Sequence, residues 1–301
     1  MDMTTLITQM LVLTIVMAIG FLARRTQVMD AGFSRQLSGL LLRIAIPAMI
    51  IASVGKENPF ADSGEILAVL GICTLVNLFM IPLAYCLVWV LRIREQRELY
   101  QFMFALSNAG FMGLPIITSV FGSTAGVYAA LFLLPNNFLM FGYGMRLFRK
   151  DEPFSWKQIF NAPVCASLIA CVICLLRLKL PPVIQECAEL LGSMTTPCAM
   201  LIIGASLADT RLSDLRKDRL IVPFTLLRMF FVPLCCYGML RLVVTDETLI
   251  QVCAMPVATN AVIFASSCGK DTGLCSRTVF VTTLLSVISV PLLCALLFVR
   301  A

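Results

Sequence analysis

Two asparagines, Asn108 and Asn260, sit in the middle of stretches that are otherwise apolar enough to lie in a membrane. The first stretch reads FALSNAGFMGLPIITSVF over 104–121 and the second VCAMPVATNAVIFA over 252–265. A primary amide carries two N–H donors and a carbonyl acceptor, so it can hold a carboxylate or hydroxyl, or satisfy a freed backbone group. Each asparagine is flanked by a hydroxyl, Ser107 or Thr259, and by helix breakers: Gly110, Gly113 and Pro115 in the first stretch, Pro256 in the second. Proline lacks the N–H that a helix needs, and glycine lowers the cost of unwinding. A helix that restarts after a break presents free N–H groups and the positive end of its dipole, which favour an anion. These residues indicate reversible recognition of an anion rather than the making of bonds. A lone membrane asparagine is most simply glue between helices; a matched pair beside matched breaks favours a solute site. Asn137, with Asn136, follows Pro135 and either lines the same cavity or ties its helix to a neighbour.

Arg43 is the sharpest charged signal. It lies about 14 Å along its apolar run, near mid-membrane, four residues before Pro47. A guanidinium at that depth needs water, an anion or freed carbonyls, so Arg43 is expected to touch an anionic solute or to support the site from behind. Arg228 lies nearer a span end and is expected to snorkel to the interface. All 17 acidic residues, among them Asp30, Asp62, Glu65, Glu189 and Asp209, fall in loops or close to span ends. That weakens a cation antiporter, which trades protons with metal ions on a mid-membrane carboxylate. Cys171 and Cys174 form a C-x-x-C, but within an apolar run and with no histidine in the chain, so zinc or redox chemistry gives way to packing. Gly142 and Gly144 fit close helix approach. With no phosphate-binding glycine loop, nucleotide motif or paired nucleophile and base, neither an enzyme nor a cofactor nor a metal site is expected.

The elements that must position these groups are membrane helices. Of 301 residues, 59% are hydrophobic and only 13% charged, with mean hydropathy +0.94; a soluble domain carries roughly twice that charge fraction. The 13 cysteines lie mostly in apolar runs and give no disulfide framework. Apolar runs place spans at 4–23, 34–54, 64–91, 99–121, 124–147, 158–178, 183–208, 219–243, 248–268 and 273–299. The first has no basic residue ahead of it and no small-residue cleavage site, so it reads as a retained span rather than a signal peptide. Arg24, Arg25, Arg35, Arg92, Arg94, Arg97, Arg146, Arg149, Lys150, Lys157, Arg211, Arg216, Lys217, Arg219, Lys270 and Arg277 all fall on one side. Lys56, Arg177, Lys179, Arg241 and Arg300 fall on the other. The basic side is cytoplasmic by the positive-inside rule, which leaves both termini extracytoplasmic. The net charge of +6 follows from this gathering and does not indicate nucleic acid.

The halves resemble each other. IPAMIIAS at 46–53 matches TPCAMLIIGAS at 196–206, aligning Pro47 with Pro197; FMIPL at 79–83 matches FFVPL at 230–234; SNA at 107–109 matches TNA at 259–261. The offset stays near 150 residues. Five spans per half is an odd number, so the second half, 151–301, enters the membrane upside down relative to the first, 1–150. An inverted repeat of this kind supports alternating access. The fold class is therefore an all-α integral membrane domain with helix-breaking positions at Gly113, Pro115, Pro256, Pro47 and Pro197.

SNAGFMGLPIITSVFG (107–122), MPVATNAVIFASSCG (255–269), LLRIAIPAMI in span two and LLSVISVPLL in span ten resemble the auxin efflux carrier family, which holds plant auxin exporters and bacterial malate and malonate permeases. The resemblance covers the whole chain. It implies ten helices in a 5+5 inverted repeat, similar to bile-acid symporters and sodium–proton antiporters, in which spans four and nine cross at the site and the substrate is a carboxylate. The family's crossover positions fall on Ser107 with Asn108 and on Asn260 with Ala261. Plant carriers have prolines at the positions of Ser107 and Ala261 and many insert a long loop where this chain has only 149–157; both departures favour a bacterial-type carrier of the inner membrane. The expectation is a secondary transporter of a small organic anion, a mono- or dicarboxylate, with a proton or sodium as coupling ion and a homodimer as candidate assembly. A sodium-coupled symporter and a ligand sensor that moves nothing are the alternatives.

Overall fold

In a computed structural model, residues 3–55, 60, 62–149, 160–208, 218–241 and 252–298 are described. Lys56, Lys150, Lys157, Asp209, Arg211, Arg216, Lys217 and Arg300 lie outside them, as do the ends of the expected spans near 158, 243, 248 and 299. The described residues are helical with no strand. That is what lipid imposes on an apolar chain, since each backbone N–H and C=O must find a partner within the protein. Among the described residues six helices are long and apolar enough to cross a membrane, at Ala31–Val54, Ser63–Val90, Ala125–Phe148, Pro182–Ser206, Ile221–Arg241 and Thr272–Leu297. Val183, Leu190 and Leu296 are 70–79% exposed, which suits a surface solvated by acyl chains.

The chain begins with α1 (Met3–Arg25) and α2 (Ala31–Leu40), which runs through a π-helical turn at Leu41–Ala45 into α3 (Ile46–Gly55). Next come α4 (Ser63–Val90), α5 (Arg97–Ala105), a second π turn (Ala109–Gly113) and α6 (Leu114–Leu139), then a third π turn (Met140–Gly144) and α7 (Met145–Phe148). Later follow α8 (Ala162–Leu175), α9 (Pro182–Ser193), α10 (Thr195–Ala208), α11 (Ile221–Leu226), a fourth π turn (Leu227–Phe231), α12 (Val232–Arg241), α13 (Asn260–Ser267) and α14 (Thr272–Phe298). Starts are set by side-chain caps: Asp30 accepts from Phe33 N, Asp62 from Glu65 N, Asn161 from Val164 N and Asp271 from Leu274 N. Partial burial opposes the charge on Asp271. The bonds from Leu274 N and the Gln96 side chain, with Arg277 nearby, outweigh it and hold the carboxyl below its ordinary range. Gly122, at φ +85° and ψ −177°, turns the chain inside α6 where the gap between spans four and five was expected; only glycine adopts that conformation freely.

Two expected breaks are corrected. At Pro47 the helix continues, and the missing donor is absorbed by the π turn just before it, where Ile46 N reaches back to Leu41 O. Pro197 lies in the first turn of α10, where no intrahelical donor is needed.

The closest packing joins α1 to α10. A Cβ added to Gly204 would collide with the backbone of Met17 and Phe21, and one added to Gly20 with the backbone of Leu201. Small residues let membrane helices approach to backbone contact, which is how they gain dispersion energy without a hydrophobic drive. Gly204→Val is expected to force the pair apart and lower stability by about 1–3 kcal/mol. Gly39→Ala, with open space around its Cβ, should be neutral or stabilising by up to about 1 kcal/mol. Thermal unfolding of the detergent-solubilised variants checks both; equal melting temperatures would refute the tight contact.

Candidate functional site: two broken segments that cross

The first break begins where α5 ends. Leu106, the residue after α5, is extended at φ −114° and ψ 121°, and Asn108 at φ −78° and ψ 52° is also non-helical before the chain rewinds at Ala109. The second lies between Val252 and Asn260. The two meet as a short antiparallel bridge, Ser107 opposite Val257. Asn108 N donates to Pro256 O at 2.8 Å and Ala258 N donates to Leu106 O at 3.3 Å. Main-chain groups freed by one break thus satisfy those freed by the other. Phe102 of α5 meets Phe264 of α13 edge-on, at 5.7 Å between centroids, and Phe148 and Phe141 pack on the same ring.

The glycines act differently from expectation. Gly110 and Gly113 belong to the π turn after the break, and Pro115 sits in the first turn of α6; the unwound residues are Leu106 to Asn108. Gly113 gives room to Met255, whose Cγ would lie 3.3 Å from an added Cβ. Gly144 likewise admits Phe102.

Beside the crossing lies a cavity of about 20 Å3, room for one water. Ser107, Asn108, Gly110, Asn136, Asn137 and Asn260 line it, together with apolar Leu42, Ile46, Phe111, Leu133, Met140, Phe141 and Pro163. Four asparagines, all buried, therefore converge from α6, α13 and the first break. Among the described residues the Nδ2 groups of Asn108 and Asn136 have no hydrogen-bond partner, and Asn260 Nδ2 rests against Met140 Sδ. Three of the four π turns contribute lining residues. No charged side chain lines the cavity among the described residues.

Two sequence-predicted residues lie apart. Arg43 is exposed and absent from the lining, and Thr259 is half-buried at the start of α13 and also absent. The expectation for Arg228 is overturned: it does not snorkel. Its side chain is fully buried, with Nε donating to Met103 O and Nη1 to Cys253 O, each at 3.2 Å. Freed carbonyls hold it more cheaply than a route to the interface would, because the breaks leave acceptors needing donors. Its place among apolar residues five positions before Pro233, with no acidic residue in its own span, was the available sequence signal.

Apolar membrane-length helices, with two breaks crossed around an amide-lined cavity, make this a multi-pass membrane protein of the transporter class. The family model described as membrane transport protein matches residues 5–155 and 151–294, and the chain belongs to that family, the family of auxin efflux carriers. It is 23% identical over 297 residues to an uncharacterised transporter of Methanothermobacter thermautotrophicus, with 92% of this chain and 94% of the relative covered. An uncharacterised transporter of Methanocaldococcus jannaschii is 21% identical over 301 residues, covering 94% and 96%. The uncharacterised transporter YfdV of Escherichia coli K12 is 21% identical over 309 residues, covering 96% and 97%.

A buried amide donor without a partner costs about 1–3 kcal/mol. Asn136→Ala and Asn108→Ala are therefore expected to keep or raise the melting temperature. Asn77→Ala, which removes a satisfied buried bond from Asn77 Nδ2 to Cys73 O at 2.8 Å, should lower it. A large fall in both cavity variants would mean that these amides serve packing.

Proposed function

We propose that the protein is a secondary active transporter of a small organic anion, working by alternating access, with the crossing as its substrate site. In this reading ten spans form a 5+5 inverted repeat, 1–150 and 151–301, in the bacterial inner membrane with both termini extracytoplasmic. The observation that carries the proposal is the pair of buried amide donors without a partner among the described residues, Asn108 Nδ2 and Asn136 Nδ2, on residues that line a cavity beside two crossed breaks.

A carboxylate fits those donors. It accepts through two oxygens and needs no counter-charge if several N–H groups converge on it. Asn137 and Asn260 stand beside it, and the helices that restart at Ala109 and Asn260 aim their positive ends at the same region. Arg43 and Thr259, outside the lining, have no part in this contact set. The remaining walls are apolar, so the lining favours one carboxylate among the amides with an apolar remainder over a second charge. Room for a single water is far below the roughly 300–1,000 Å3 of a ligand site, so binding requires the helices around the crossing to open. Alternating access supplies such a movement on either side in turn.

Uptake of labelled malate, malonate, indole-3-acetate and a longer fatty acid into proteoliposomes, under imposed pH, sodium and voltage gradients, tests the reading. Saturable uptake of at least one acid is expected, and the gradient that drives it identifies the coupling ion. Each of Asn108→Ala and Asn260→Ala should lower kcat/KM about ten- to a hundredfold, the worth of one hydrogen bond to a charged group. Wild-type transport by both variants would remove the site from the crossing; binding of an acid without uptake would favour a sensor.

A further inference from the structure

We infer that Arg228 is a positioning residue that caps both broken helices at once and holds the crossing together from behind the cavity. Met103 and Cys253, whose carbonyls it binds, stand four residues before Ser107 and Val257, the two residues that face each other in the bridge. In an unbroken helix the N–H of residue 107 would bond to the carbonyl of 103, and that of 257 to the carbonyl of 253. At the crossing Val257 N turns instead to Thr282 Oγ1 at 3.4 Å. The guanidinium thus stands in for the donors that unwinding removes, one nitrogen for each segment.

Charge favours the same arrangement. Met103 lies in the last turn of α5, and Cys253 is the last helical residue before the second break. Both are C-terminal ends, where dipoles present negative potential and where arginine is a natural cap. Arg228 sits in the fourth π turn, a distortion that changes which way a side chain projects from its helix. Its remaining Nη2 has no partner among the described residues, so the two carbonyl bonds anchor a fully buried cation. The FMIPL and FFVPL words align Arg228 with Asn77 of the first half. Asn77 bonds back to Cys73 O of its own helix, so the clamp comes from one side only.

The inference stands on the geometry of the crossing; its consequence for transport, that Arg228 keeps Asn108 and Asn260 in register, rests on the carrier reading. The test is therefore amide hydrogen exchange of the whole protein in detergent, which needs no substrate. In Arg228→Met the amides of Asn108 and Ala258, which form the reciprocal bonds, should exchange at least about tenfold faster, while α1 and α10 keep wild-type protection. Arg228→Lys keeps the charge but lacks the fork and should protect one segment and not the other; it also serves if the methionine variant does not fold. Wild-type protection at both amides in Arg228→Met, equal acceleration throughout the chain, or full protection of both segments by lysine would each overturn the shared cap. Wild-type uptake in both the Asn108 and Asn260 variants, with the Arg228 variants exchanging as expected, would remove the substrate site and leave the clamp standing on its own.

Discussion

Everything at the centre of this molecule follows from one constraint: backbone groups unwound inside a membrane have no water to fall back on. The unwound stretch after α5 exposes donors and acceptors, and each would cost several kcal/mol in hydrocarbon. The protein answers by placing a second unwound stretch against the first. Asn108 N finds Pro256 O, Ala258 N finds Leu106 O, Val257 N finds a threonine hydroxyl, and the carbonyls of Met103 and Cys253 find Arg228. Neither break is tolerable alone. Their crossing is thus a requirement of satisfied hydrogen bonds before it is a feature of function.

The breaks were legible in the sequence because proline, glycine and asparagine are conspicuous inside apolar runs, and the pairing of Asn108 with Asn260 followed from their matched neighbours. What the sequence does not carry is azimuth. Arg43 and Arg228 both read as arginines within membrane runs, and their depths alone suggested that Arg43 would be the buried one. The structure reverses this, leaving Arg43 exposed and Arg228 fully enclosed. Each arginine lies in a π turn, and a turn with an extra residue rotates every side chain after it relative to an ideal helix. Helical periodicity counted from the sequence therefore points such residues in the wrong direction. Pro47 illustrates the same limit, since its missing donor produced a π turn rather than a break.

The amide cluster was partly legible for a related reason. Asn136 and Asn137 follow a proline within an apolar run, and two adjacent residues on a helix face about 100° apart. One would be expected to turn away from any given cavity. Both line this one, just before the π turn at Met140–Gly144. The convergence depends on three π turns, at Leu41–Ala45 and at either end of α6, none of which has a distinctive residue pattern.

Stability and activity pull apart at this point. A core optimised for stability would bury no unpartnered donor, yet Asn108 and Asn136, beside a cavity that holds no more than one water, each bury one without a partner among the described residues. Filling the cavity with apolar groups would remove that cost, as would letting the amides pair with each other. In the proposed carrier, the unsatisfied donors are what a carboxylate can satisfy, so the closed, ligand-free arrangement is kept from being too stable relative to the occupied one. A transporter must cross between states when loaded, and free energy left unspent in the empty site lowers that crossing selectively for the loaded form. In that proposal the clamp at Arg228 and the unsatisfied amides at Asn108 and Asn136 have complementary roles: the first keeps the two segments moving as one body, and the second makes their movement depend on what they hold.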